Sequence, residues 1–115
     1  MQTYSTVLIM LLLIACAPPK PKIPNNLLDQ HLMSDIIAEM HLADAIASKD
    51  DVVNKDSINQ RAVNYREFIY TKYAVTHTQF NASFDFYKQN PILMDSVYAE
   101  VVNKLSSKEM EYRGK

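Results

Sequence analysis

The sequence predicts an all-α fold, an irregular bundle of three to four helices. Three observations carry this expectation. From Asn25 onward apolar residues recur at steps of three and four, and no segment alternates with period two for long enough to argue a strand. Breaks at residues 48–55, at Thr76 and at Asn90-Pro91 divide the helical pattern into separate runs.

The first 15 residues stand apart from this pattern. Val7 to Ile14 form an eight-residue apolar run, which ends in Ala15 and Cys16. A bilayer span needs about 20 residues, so the run has the length of a signal-peptide core instead. Leu13-Ile14-Ala15-Cys16 matches the bacterial lipobox, with an apolar residue three positions before the cysteine and a small one just before it. The signal peptidase needs a small residue beside the scissile bond, and the Cys16 thiol must be free to become a diacylglyceryl thioether. Two or three acyl chains then anchor stably where one would be marginal. The segment before the run, Met1 to Thr6, lacks Lys and Arg, so only the amino terminus supplies positive charge there.

Residues 17–24 contain four prolines and read as an extended spacer. At about 3 Å per residue it reaches roughly 20 Å from the lipid surface, and Lys20 and Lys22 can meet anionic head groups. No aspartate follows Cys16 directly, as favours inner-membrane retention in familiar bacteria. Nor does an acidic cluster, as in many surface-exported lipoproteins of the Bacteroidota. The expected location is therefore the periplasmic face of the outer membrane. The expected organisation is a signal peptide over 1–15, lipidated Cys16 and tether over 16–24, a helical domain over 25–110, and a tail over 111–115.

In the first helix, Leu28, Leu32, Ile36, Met40, Ala43 and Ala47 form a stripe that Leu27, Met33, Ile37 and Ile46 widen. Asn25 or Asn26 is expected to cap it, with Asp29 in its first turn. After a polar loop, Asp56 is expected to cap a second helix with Ile58, Ala62, Tyr65, Ile69 and Tyr73 on its inner face. Thr76 and Gln79 have the spacing of a capping box for a third, with Phe80, Phe84 and Tyr87 on one face. Pro91 disfavours a helical Asn90 and itself suits a first helical position, so this pair closes the third helix and opens a fourth. Met94, Val97, Tyr98, Val101 and Leu105 form the stripe of that last helix.

Composition excludes several function classes. The 115 residues hold 12 basic and 13 acidic side chains, with no basic stripe for nucleic acid. The single glycine, Gly114, rules out a glycine-rich phosphate cradle. An acidic stretch (Asp29, Asp35, Glu39, Asp44, Asp50, Asp51) precedes a more basic one (Arg61, Arg66, Lys72). Complementary packing of the two is expected, with an acidic docking face as the alternative.

Candidate chemistry is sparse. His31 with Asp35, and His41 with Asp44, fall at helical spacing near Glu39, but a zinc site wants three protein ligands in fixed geometry. Ser83, Ser96 and His77 come without a nucleophile elbow or an oxyanion hole, and Asp85 and Asp95 are a pairing any helical protein offers. No metal, cofactor or catalytic residue is assigned. Eight aromatic residues between Tyr65 and Tyr87 are the most distinctive feature. Most must be core, but the helical period turns Phe68, Tyr70 and Phe86 off the inward lines, which makes these three the candidate partner-binding residues.

Ile36-Ile37-Ala38-Glu39-Met40-His41-Leu42-Ala43-Asp44-Ala45, the run from Tyr65 to Thr76, then Gln79-Phe80, Ser83, Phe86-Tyr87, Asn90-Pro91, Met94, Tyr98, Val101 and Leu105 carry a family resemblance. The chain resembles, over nearly all of its mature length, a Bacteroidota lipoprotein family catalogued as domain of unknown function 4296. Where that family tends to have glycine after the tyrosine, this chain has Ala74, from which a less sharply turned helix end is expected. The resemblance implies a helical, outer-membrane-anchored lipoprotein, and supplies no activity or cofactor.

The expected function is that of a non-catalytic accessory protein of the cell envelope. Its partners would be membrane lipid, through acylated Cys16, and an envelope protein, with no nucleic acid and no small-molecule substrate. The alternatives are a small periplasmic chaperone or peptide-binding module and, third, a metal-dependent or other small enzyme. An accessory subunit should expose a flat patch, a chaperone a groove, and an enzyme a pocket with convergent polar groups.

Overall fold

The computed structural model describes residues 19–48 and 55–114. Leu13, Ile14, Ala15 and Cys16 lie outside the described residues, as do Asp50 and Asp51. Among the described residues four helices follow in order, α1 (Gln30–Ala47), α2 (Lys55–Lys72), α3 (His77–Lys88) and α4 (Pro91–Arg113), and there is no strand. The chain is all-α, as its periodicity predicts.

The start of α1 differs from the expectation. Asp29 is itself the cap, its carboxylate accepting from the Leu32 amide at 3.0 Å. Asn25 and Asn26 form a turn ahead of it, with the Leu27 amide donating to the Pro24 carbonyl at 3.3 Å. Leu28 stays out of the helix because its main chain is engaged elsewhere. Its amide donates to Ser83 Oγ at 3.0 Å, and its carbonyl accepts from the Tyr87 hydroxyl at 2.9 Å.

At the other helix ends local chemistry largely wins. α2 begins two residues earlier than expected, so Asp56 sits in its first turn, where the helix dipole favours a carboxylate. Thr76 caps α3, accepting from the Gln79 amide at 3.1 Å. The capping box is only half formed, because the Gln79 side chain donates to the Asn26 carbonyl at 3.2 Å. Pro91 opens α4 as predicted. That helix runs on to Arg113, past the expected start of the tail, and an Arg113–Glu109 ion pair spans its last turn at 2.6 Å.

The end of α2 corrects the expectation drawn from Ala74. This residue has φ 52°, the left-handed conformation that favours glycine. The Ala74 amide bonds the Thr71 carbonyl at 3.2 Å and the Val75 amide bonds the Tyr70 carbonyl at 3.0 Å. These two bonds are a Schellman motif, completed by burial of both Val75 and Tyr70. The turn is sharp despite the methyl group.

α1 is the hub, packing on α4, on α2 and more narrowly on α3, while α3 also leans on α4. Pairings from Gln30 to Glu100 and from Asp35 to Lys104 show that α1 and α4 run in the same direction. Those from Asp44 to Arg66 and from Glu39 to Lys72 show that α2 runs against α1. Met33 and Ile36 of α1 meet Val97 and Val101 of α4 in the driest part of the core, all four at 2% exposure or less. Burying such side chains contributes about 1.5–3 kcal/mol each. Three residues leave their expected inward lines, since Ile46, Tyr65 and Tyr98 are exposed. The side chain of Ile58 lies outside the described residues.

Candidate functional site

α2 and α3 both rest near α1 but diverge from each other, and an open groove of about 410 Å³ lies between them. Ile37 and Met40 of α1 line it, with Val63 and Tyr70 of α2, Phe80 and Phe84 of α3, and Tyr98 of α4. Its rim is polar. Asp44 meets Arg66 across the α1–α2 side at 3.5 Å, and His77 meets Asn81 along α3 at 3.2 Å. Glu67 and His41 complete the lining.

Of the three expected partner-binding residues, only Phe68 is exposed, at 66%. It lies on the outer face of α2, where Arg61, Asn64 and Tyr65 surround it in a shallow depression. Tyr70 and Phe86 are buried, which corrects the expectation that they turn outward, although Tyr70 still lines the groove. The sharp turn at Ala74 folds α3 back over the flank of α2, so Tyr70 packs against His77 and Phe80 with ring centroids 5.7 and 5.6 Å away. Burial pushes the Tyr70 hydroxyl above its ordinary pKa. Phe86 is covered because α3 is held by the Pro24–Leu28 segment and by α4, so more than one of its faces is inward.

The acidic stretch of α1 meets the basic residues of α2 at Glu39 and Asp44, as complementary packing predicts, while Asp35 turns to α4 instead. Asp35 accepts from Lys104 at 2.6 Å, Glu39 from Lys72, and Asp44 pairs with Arg66. Glu39 also accepts from the Tyr73 hydroxyl at 2.8 Å. Burial works to raise the Glu39 pKa, but the hydrogen bonds from Lys72 and Tyr73 outweigh it and hold the carboxyl below its ordinary value. The same environment pushes Tyr73 well up, by burial first and then by its bond to Glu39.

Sequence reasoning missed a polar cluster between α1 and α4. Ser34 is fully buried, and its hydroxyl lies 2.8 Å from Glu100 and 2.7 Å from the His31 carbonyl. The Lys104 ammonium donates to Ser34 at 2.7 Å, to Asp35 at 2.6 Å and to the His31 carbonyl at 3.2 Å. Gln30 donates to Glu100 at 2.6 Å. Glu100 is held below its ordinary pKa, chiefly by the bonds from Gln30 and Ser34. The signal available was Glu100 and Lys104, four apart and flanking the Val97–Val101 line. Here the ammonium acts as a donor with all three hydrogens engaged, and the serine has no solvent path, so the cluster is a clamp between helices.

The serines and histidine weighed for hydrolytic chemistry do not converge. Ser83 bonds Leu28, Ser96 bonds the Ile92 carbonyl, and His77 pairs with Asn81. His31 lies 3.9 Å from Asp35 and 3.2 Å from Glu100. Among the described residues no group of three or more His, Cys, Asp or Glu side chains is placed to hold a metal ion, and no helix is long and apolar enough to cross a membrane.

A family model described as Domain of unknown function (DUF4296) matches residues 24–111. The chain belongs to this family. No curated protein and no solved structure matches it. The DUF4296 match opens at Pro24, two residues before the chain first bonds to a helix at Asn26, and takes in α1, α2, α3 and nearly all of α4. Both the groove and the Ser34–Lys104 clamp of this DUF4296 protein therefore lie within the family span.

Proposed function

We propose that this DUF4296 protein is a lipid-anchored, non-catalytic binding protein of the bacterial cell envelope. On this reading it is tethered through Cys16 to the periplasmic face of the outer membrane and takes a segment of a partner protein in the groove between α2 and α3. The groove carries the reading. It combines an apolar lining (Ile37, Met40, Val63, Phe84) with a polar rim, the arrangement that receives a peptide or helix face. The lipobox at residues 13–16 and the proline-rich spacer support the anchored location. The groove favours segment binding over a subunit joined through a flat patch, and the exposed Phe68 supports that second reading.

Crosslinking and pull-down of the tagged protein from native membranes tests both. The parent, Cys16→Ala, Val63→Asp and Phe68→Asp are compared. Partner capture lost with Cys16→Ala and Val63→Asp but kept with Phe68→Asp is the expected result. Capture lost only with Phe68→Asp transfers the binding face to the outer side of α2. Capture unaffected by Cys16→Ala removes the anchored reading.

A further inference from the structure

One wall of the groove is held from behind by the chain's own N-terminal segment. α3 has little packing against α2, and Tyr70 with its ring contacts to His77 and Phe80 is the bridge at their shared end. On its other side α3 receives residues 24–28, which run along it in parallel. Gln79 donates to the Asn26 carbonyl, Ser83 accepts from the Leu28 amide, and Tyr87 donates to the Leu28 carbonyl. All three bonds join an α3 side chain to the main chain of this segment. Two of them are buried, as are Ser83 at 0%, Tyr87 at 4% and Leu28 at 4% exposure. Releasing the segment would strand buried hydroxyls and bare an apolar slot. Upstream of Pro24 the described residues 19–23 are exposed or half-exposed, and the first bond from the chain to a helix is the one the Asn26 carbonyl accepts from Gln79.

We infer that residues 24–28 act as a strap that positions α3, and with it the width of the groove, so that load on the N-terminal tether reaches the binding wall through Leu28. The inference rests on the groove being the binding face and adds to it a way of being regulated. Among the described helices α3 is the shortest, and its packing on α1 and α4 is narrower than that of α2 on α1, which the Glu39–Lys72 and Asp44–Arg66 pairs fix. Movement between the walls is therefore movement of α3.

The test is a distance across the groove, read by pulsed electron paramagnetic resonance on the full chain in mild detergent. Spin labels are placed through Val63→Cys and Asn81→Cys, with Cys16→Ala removing the only other thiol. Ser83→Ala with Tyr87→Phe deletes both buried strap bonds while keeping side-chain shape. The expected result is a longer and broader distance distribution, together with exchange of the Leu28 amide about tenfold faster. An unchanged distribution beside the faster Leu28 exchange overturns the inference, and so does unchanged Leu28 exchange. Where the double variant loses its helical circular dichroism, Gln79→Ala decides, since its bond lies at the exposed edge. A broadened distribution there supports the strap, and an unchanged one overturns it. Neither lipid nor partner enters this measurement, so its failure and the failure of partner capture are separate results.

Discussion

Lys104 of α4 donates to the buried Ser34 hydroxyl of α1 at 2.7 Å, and the same ammonium reaches Asp35 at 2.6 Å. This single side chain ties together two helices that run in parallel and whose first contact in sequence is about 70 residues apart. Lys104→Met keeps the aliphatic stem but leaves Ser34 and Asp35 without their donor. Unfolding in urea should show a loss of about 1–2 kcal/mol, the lower part of the range for charged hydrogen bonds because the site is partly exposed. A change within about 0.5 kcal/mol would place the clamp among surface pairs of little consequence.

Ala74 holds a left-handed φ of 52°, at a cost of roughly 1 kcal/mol relative to glycine. Ala74→Gly should therefore stabilise the protein by somewhat less than that, since glycine also loosens the unfolded chain. The melting temperature is expected to rise by a few degrees for a domain of this size. Ala74→Val should lower it, because a branched side chain fits this conformation worse still. A fall in melting temperature with glycine would contradict the Schellman geometry.

Stability should decline at both ends of the pH scale. Glu39 and Glu100 have folded pKa values below their ordinary 4.5, so the unfolded chain binds their protons more readily. Their contribution is full above that value and disappears as pH falls through the folded values. Tyr73 is shifted the other way from its ordinary 10.0, as are Tyr70 and Tyr87 to a lesser degree. Their contribution is full below pH 10 and is lost as pH rises through the folded values. Denaturation midpoints measured from pH 3 to 11 should trace a plateau with two falling limbs. Glu39→Gln should flatten part of the acid limb, and Tyr73→Phe part of the alkaline one.

Phe68 and Phe86 were equivalent candidates on sequence grounds and separate sharply in the fold, at 66% and 8% exposure. Phe68→Ser should change folding stability by less than about 0.5 kcal/mol, as surface substitutions do. Phe86→Ala should cost about 3–4 kcal/mol through lost burial and the cavity left behind. Paired denaturation curves check both, and a large effect at Phe68 would show that another element covers it.

The contrast between these two phenylalanines marks where sequence reading stops. Signals confined to a few residues were legible. Thr76 before Gln79, Asn90 before Pro91 and the step-of-four stripe of α1 act over one or two turns, and the helices obey them. The resemblance through the tyrosine-rich run and the Asn-Pro pair was legible too, and the family match bears it out. The all-α class, the turn positions and the family were thus determined by the chain itself, because hydrogen-bonded periodicity and capping depend on neighbours in sequence.

What only the tertiary structure decided depends on neighbours in space. Asp29 rather than Asn25 or Asn26 caps α1, because Ser83 and Tyr87 claim the main chain of Leu28 from 55 and 59 residues away. Tyr70 is buried because the turn at Ala74 lays α3 against the flank of α2, and Phe86 because residues 24–28 and α4 cover α3, relations that a helical wheel of one helix alone leaves open. Ser34, Glu100 and Lys104 look like ordinary polar residues until α1 and α4 meet. The groove itself belongs to no single segment. It exists because α2 and α3 share a support in α1 and diverge from a common turn, a relation of axes that local periodicity does not encode.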